Sequence, residues 1–450
     1  MSMRVMCCLL LLGTSLSAAA VDLGDAYALA LRNDPTFHAA IAERDAGLES
    51  RAIGRAALLP NLSYRYNNAR NDSQVTQTNV RGNVTSQRDY RSYSSTLTLQ
   101  QPLFDYGAWA EYRQGVAKAL LADERFRSRS QELAVRVFAA YSEALFADEQ
   151  IALAQAQRRA YAEQLQLNRR LLKGGEGTRT DLLETQARYE LAQAQEIEAS
   201  DNLDAALRVL QAIIGEPLEV ADLAPLSGDF RVQPLQPLRF ESWRDLAVAH
   251  NAELASQRHA LVAADYAVER QRAGHLPTLS AYASTGKSSS SSESSYDQRY
   301  DTDSIGLQVS LPLFAGGGVS AATRQAAAER DSARFSLDGQ LADTLNQLRK
   351  QFNLCASSTA KIRAYELAVK SASGLIEATR RSVAGGERVN LDVLDAEQQL
   401  FSARRDLAQA RYDYLRAWLQ LRYLAGVLEP QDLQQLNGYF ASRSAGLAAR

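Results

Sequence analysis

Two carboxylates three residues apart, Asp392 and Asp395, follow a glycine turn in GGERVNLDVLDAEQ, which starts at Gly385. A near copy, GGEGTRTDLLETQ, starts at Gly174 and carries Asp181 and Glu184 at the same spacing. Acids in this position act electrostatically on a helix start. Asp181 can cap it with Glu184 as its capping-box partner, and Asp392 and Asp395 can occupy a first turn where the helix dipole favours negative charge. Catalytic chemistry has little else to draw on. The four histidines, His38, His250, His259 and His275, show no metal-ligand spacing, and neither a GxxxxGKS/T phosphate loop nor a GxSxG nucleophile turn occurs. No enzyme activity, cofactor or metal is expected, so any energy for work must come from a partner.

The elements that position these acids are written twice. LALRNDPTF (from Leu29) answers LAVAHNAEL (from Leu246), LPNLSY (from Leu59) answers LPTLSA (from Leu276), and QPLFDYG (from Gln101) answers LPLFAGG (from Leu311). From the two GGE turns to the glycines Gly215 and Gly426 the offset holds at 211 without a gap, which points to tandem duplication. Pro60, Pro102, Pro277 and Pro312 mark equivalent junctions, while Pro217, Pro225, Pro234 and Pro237 crowd one segment, because proline is expelled from helix interiors and central strands. The expected organisation is a signal peptide at 1–20, repeat 1 at 21–215, a linker at 216–240, repeat 2 at 241–426 and a C-terminal tail at 427–450.

MSMRVMCCLLLLGTSLSAAA has the basic start, short apolar run and small-residue end of a secretory signal, too short to remain as a membrane helix. Cys7 and Cys8 precede that apolar run, where a lipid anchor would not sit, and Cys355 is the one cysteine left to the mature chain. The net charge of −2 over 450 residues gives no general attraction to nucleic acid. After the signal, no run reaches the roughly 18 apolar residues of a membrane helix, so any crossing must be made by strands.

Runs free of Gly and Pro predict four long helices: Val116–Lys173, Thr178–Ile214, Gln340–Ser373 and Glu387–Ala425. The 58 residues of the first would extend about 87 Å. Another helix is expected over about Gly24 to Leu58. Val393, Leu400, Leu407, Tyr414 and Leu421 recur every seven residues, a coiled-coil stripe that a plain antiparallel bundle would explain equally well. Each half also switches to period two, at Leu97, Leu99, Gln101 and Leu103 and at Ile305, Leu307, Val309, Leu311 and Leu313. Their partners begin at Asn61 and Thr278, giving hairpins of strands about ten residues long with polar loops. A disordered linker is the alternative for the serine-rich connection. Tyr64, Tyr66, Tyr90, Tyr93, Phe104, Tyr106 and Trp109 gather near the strand ends, as aromatics do at a membrane interface. Four strands cannot close a barrel in lipid, whereas three chains would supply twelve.

The signal, the duplicated plan, the two LP/PLF-bounded hairpins and the GTRTDLLETQARYELAQAQ and LDVLDAEQQLFSARRDLAQARYDYL stretches together resemble the TolC family of outer-membrane channel-tunnels. The first tip and the absence of a lipid anchor are more similar to its type I secretion subgroup. The resemblance implies an α+β homotrimer in the bacterial outer membrane: a 12-stranded β-barrel continued into the periplasm by an α-helical barrel. It further implies a periplasmic adaptor (membrane fusion protein), an inner-membrane ABC transporter and an exported, unfolded protein as partners. Multidrug or small-molecule efflux is the alternative function. The matching motif makes Asp392 and Asp395 the pore constriction, two stacked carboxylate rings that attract cations. It makes Arg388, with Thr180 and Asp181 as its partners, the closed-state tip network. Gly174, Gly175, Gly177, Gly385 and Gly386 become the tip turns where an adaptor docks. Two departures thin the expected lock: Val383 stands where a family tyrosine would, and Arg388-Val389 replaces an arginine-threonine pair.

Overall fold

The computed structural model describes residues 21–80, 82–292 and 295–440. The expected signal peptide and the last ten residues of the expected tail lie outside them. In chain order come α1 (Leu23–Asn33), α2 (Pro35–Ala56), β1 (Asn61–Asn79), β2 (Gly82–Phe104), α3 (Tyr106–Gly174) and α4 (Arg179–Ile214). After an irregular segment follow α5 (Phe240–His250), α6 (Ala252–Arg272), β3 (Thr278–Ser292), β4 (Ser295–Ser310), α7 (Gly318–Ala384), α8 (Asn390–Leu424) and α9 (Pro430–Asn437). The order helix, helix, strand, strand, helix, helix thus occurs twice.

The first helix of each half is broken where a continuous one was expected. Asp34 has extended backbone (φ −68°, ψ 114°) because the ring of Pro35 disfavours helical geometry before it. Asn251 breaks the equivalent place without a proline (φ −62°, ψ 122°); its side-chain amide instead donates to the Leu424 carbonyl at 2.9 Å. Conversely, α7 runs 67 residues straight through Gly339 and Gly374, which were expected to bound it. An isolated helix glycine costs only about 1 kcal/mol, little against packing along so long an element.

Two compact units make up the chain. One, Ile41–Arg127 with Ala252–Ala342, holds a fully antiparallel sheet of order β1-β2-β3-β4. Its register places Leu62, Leu99, Ala283 and Ile305 in one cross-strand row, with Tyr64, Leu97, Leu279, Leu307 and Val309 on the same face. The opposite face carries Ser63, Thr98, Gln100, Ser284 and Gln308. Ile305, Leu307 and Val309 are 88%, 68% and 71% exposed, so this apolar face is left uncovered by the described residues. Strands β1 and β2 are 19 and 23 residues long, not about ten. The stretch read as a polar loop continues the ladder down to Asn79 opposite Gly82, held by cross-strand polar pairs such as Arg70 with Asp89 and Thr76 with Thr85. The serine-rich connection likewise pairs, Ser288 opposite Tyr300 and Ser290 opposite Gln298. Beside the sheet, Trp109 stacks on Tyr106 and meets Tyr266 edge-on.

The second unit takes in the described residues of Met1–Ala40, Ser128–Asn251 and Asp343–Arg450. Its main core gathers Leu23, Phe138, Tyr141, Leu210, Ile214, Tyr412, Leu415 and Phe440. The irregular segment between the halves joins it through Leu223 and Phe230. The heptad stripe of α8 is the buried one: Val393, Leu400, Tyr414 and Leu421 are at most 7% exposed. Cys355 is buried, which pushes its thiol up to about 12.

Candidate functional site

Both glycine turns lie in the second unit and share one construction. α3 closes with the Gly175, Glu176 and Gly177 amides donating to Leu172 and Leu171 carbonyls at 3.0–3.2 Å. α7 closes with Gly385, Gly386 and Glu387 donating to Arg381, Val383 and Ser382 at 2.9–3.0 Å. The left-handed residue is the second glycine of each pair, Gly175 (φ +79°) and Gly386 (φ +77°). Gly177 is needed for a different reason: a Cβ there would come within 2.9 Å of the Leu172 amide. Gly174 and Gly385 have ordinary backbone and room for a side chain.

The acids after the turns are placed unequally. Thr178 is the N-cap of α4, with its hydroxyl accepting from the Asp181 amide at 3.1 Å, and the Asp181 carboxylate accepts in return from the Thr178 amide at 3.3 Å. The capping box is therefore Thr178 with Asp181, and not Asp181 with Glu184, because the threonine hydroxyl stands three residues ahead of the aspartate. At α8, Val389 has no side-chain acceptor, so only half the box exists: the Val389 amide donates to Asp392 at 3.3 Å. Asp395 is 59% exposed at its side chain and bonds Nη2 of Arg188, on α4, at 2.8 Å.

Arg388 lines one cleft of about 800 Å³ together with Glu176, Gly177, Asp181 and Asn390. It makes no hydrogen bond or ion pair among the described residues, and Thr180 stands exposed on the first turn of α4. Within one chain the Arg388–Thr180–Asp181 set is thus near but not joined.

What sequence reading missed is the polar seam behind the acids. Gln157, Tyr161, Gln164 and Asn168 fall at helical spacings of four, three and four on α3. Asn168 donates to the Thr185 hydroxyl at 2.8 Å, Asn390 donates to the same oxygen at 3.1 Å, and Gln164 donates to Asn390 at 2.7 Å. Further along, Gln157 and Tyr161 both donate to Gln398, at 2.6 and 3.3 Å. Thr185 is fully buried and Asn168 and Asn390 nearly so. These side chains occupy positions where a coiled coil ordinarily has apolar knobs, so hydrogen bonds fix the register of α8 against α3 and α4. The 4-3-4 spacing of polar side chains, three amides and a tyrosine, was the available signal, indistinguishable from a solvated face without a partner helix.

Behind the acids, Arg380 on α7 pairs with Glu397 on α8 at 2.7 Å. Glu397 is 2% exposed, its second oxygen has no hydrogen-bond partner among the described residues, and burial holds its carboxyl above the usual range against the pull of Arg380. No group of three or more potential metal ligands occurs among the described residues. The arrangement can present carboxylates, hold helix starts together and exchange hydrogen bonds.

The profile of the outer membrane efflux protein family matches residues 26–216 and 243–427. Over 425 residues the chain is 59% identical to the alkaline protease secretion protein AprF of Pseudomonas aeruginosa, covering 94% of this chain and 88% of that one. It is 55% identical over 427 residues to the proteases secretion protein PrtF of Dickeya chrysanthemi, covering 95% and 92%. A membrane protein of Pseudomonas aeruginosa solved by crystallography matches the fold with a TM-score of 0.78 at 20% identity, over 92% of each chain.

Proposed function

The chain belongs to the outer membrane efflux protein family, and from this premise we propose that it works as the exit duct of a type I secretion system with a secreted protease as cargo. It is an outer-membrane protein of the TolC type. The observation that carries the secretion reading is identity above one half, along nearly the whole chain, to two proteins of protease secretion. The family is described as one of efflux proteins, so membership alone does not choose between cargoes.

The working form is a homotrimer. Among the described residues β1 and β4 are sheet edges, and edges are not left open in lipid. Three copies close twelve strands, with the Leu62–Ile305 face toward lipid and the Ser63–Gln308 face toward the lumen. Repeats at 21–215 and 241–426, joined by 216–240 and followed by 427–450, behind a signal at 1–20, are the division this form uses. A periplasmic adaptor, meeting the turns at Gly174–Gly177 and Gly385–Gly386, links it to an inner-membrane ABC transporter.

In the resting trimer Asp392 and Asp395 line the constriction, and Arg388 reaches Thr180 and Asp181 of a neighbouring copy. That Arg388 has no hydrogen-bond or ion-pair partner among the described residues supports an acceptor on a neighbouring copy. Opening then requires α8 to leave its amide seam with α3 and α4. Amide bonds can be replaced by water, so the seam separates at less cost than an apolar one would.

Deleting the gene from a host that retains its protease, adaptor and exporter tests the function. Extracellular protease should fall at least tenfold and return with the wild-type gene, while susceptibility to small toxic compounds changes less than twofold. Unchanged secretion with sharply raised drug susceptibility would overturn the reading in favour of efflux.

A further inference from the structure

We propose that Arg188 is the counter-ion of the constriction: by pairing with Asp395 it sets how much negative charge the acids present to a permeating cation. The inference rests on Asp392 and Asp395 lining the pore.

The two acids are not electrostatically equal. Asp392 faces only the Val389 amide and has no cation paired with it among the described residues. Asp395 has Arg188 at 2.8 Å, from the opposite repeat. A permeating ion several ångströms away sees such a pair as a dipole and not as a full charge. In a threefold assembly the six carboxylates then act as one charged ring at Asp392 and one compensated ring at Asp395. Asp395 is 59% exposed and Arg188 34%, so the pair is reachable by solvent and by ions. This pair is the one hydrogen-bonded ion pair Arg188 makes among the described residues, so replacing Arg188 breaks no other hydrogen bond or ion pair.

The test is planar-bilayer recording of the full-length trimer with La³⁺ added on the periplasmic side, together with the reversal potential in a KCl gradient. R188Q should lower the half-blocking La³⁺ concentration about tenfold and shift the reversal potential toward cations. R188K, which retains the charge, should match the wild type. D395N should weaken block, because it leaves Arg188 as a bare positive charge. R188Q/D395N removes a neutral pair and should return to within about twofold of the wild type. A wild-type response from R188Q while D395N weakens block would overturn the counter-ion role and leave the constriction reading standing. Wild-type block in both D395N and D392N would sink the constriction reading, and this inference with it.

Discussion

Replacing both acids proposed to line the constriction, Asp392→Ala with Asp395→Ala, should raise single-channel conductance severalfold and weaken block by a trivalent cation about 100-fold, or about 2.7 kcal/mol. In a trimer the change removes six carboxylates. Even at water-like dielectric, one carboxylate about 5 Å from a trivalent ion contributes about 2.5 kcal/mol, reduced by salt screening. The structural side effect is smaller. Asp392 accepts one hydrogen bond from the Val389 amide and Asp395 one from the part-exposed Arg188; losing a helix-start acceptor costs about 1 kcal/mol and losing a solvent-exposed ion pair about 0.5 kcal/mol. Asn at both positions separates charge from width: it should weaken block as strongly but raise conductance less, since the side chains stay the same size. Wild-type block in the Ala pair would remove these residues from the pore.

The largest stability effect should come from Gly426→Ala. Gly426 ends α8 with φ +73°, and a Cβ there would stand 2.3 Å from both the carbonyl carbon and oxygen of His250. Left-handed strain alone is worth about 1 kcal/mol. The clash is with backbone, at the joint between α5 and α6 where Asn251 donates to the Leu424 carbonyl, so it cannot be relieved by a rotamer change. We expect a loss above about 3 kcal/mol, seen as failure to form heat-resistant oligomers. Gly386→Ala is the control: its φ is +77°, but nothing lies within 4 Å of the added Cβ, so it should cost only about 1 kcal/mol. Equal melting behaviour of the two variants would show that the Gly426 contact is not limiting.

Much of this fold was legible because duplication writes each signal twice. In both halves the LP prolines mark where helix gives way to strand and the PLF prolines where strand gives way to helix, and the α8 heptads named the buried stripe. Element ends were less legible. Strand length was underestimated because polar residues on β1 and β2 pair with each other across the ladder, needing no apolar face. The break at Asn251 depends on a carbonyl 173 residues away. At the site, the glycine turns and the acids could be read locally. Arg188 and the Asn168–Thr185–Asn390 seam could not, since each acquires its meaning only from a second helix, and a single sequence does not say which side chains meet.

Four strands per chain need three copies to close one wall. The most direct measurement is the mass of the detergent-extracted full-length protein, with bound detergent subtracted, followed by bilayer reconstitution of the same fraction. Three chains per particle with discrete conductance steps are predicted. A stable single-chain particle that never passes ions would contradict it.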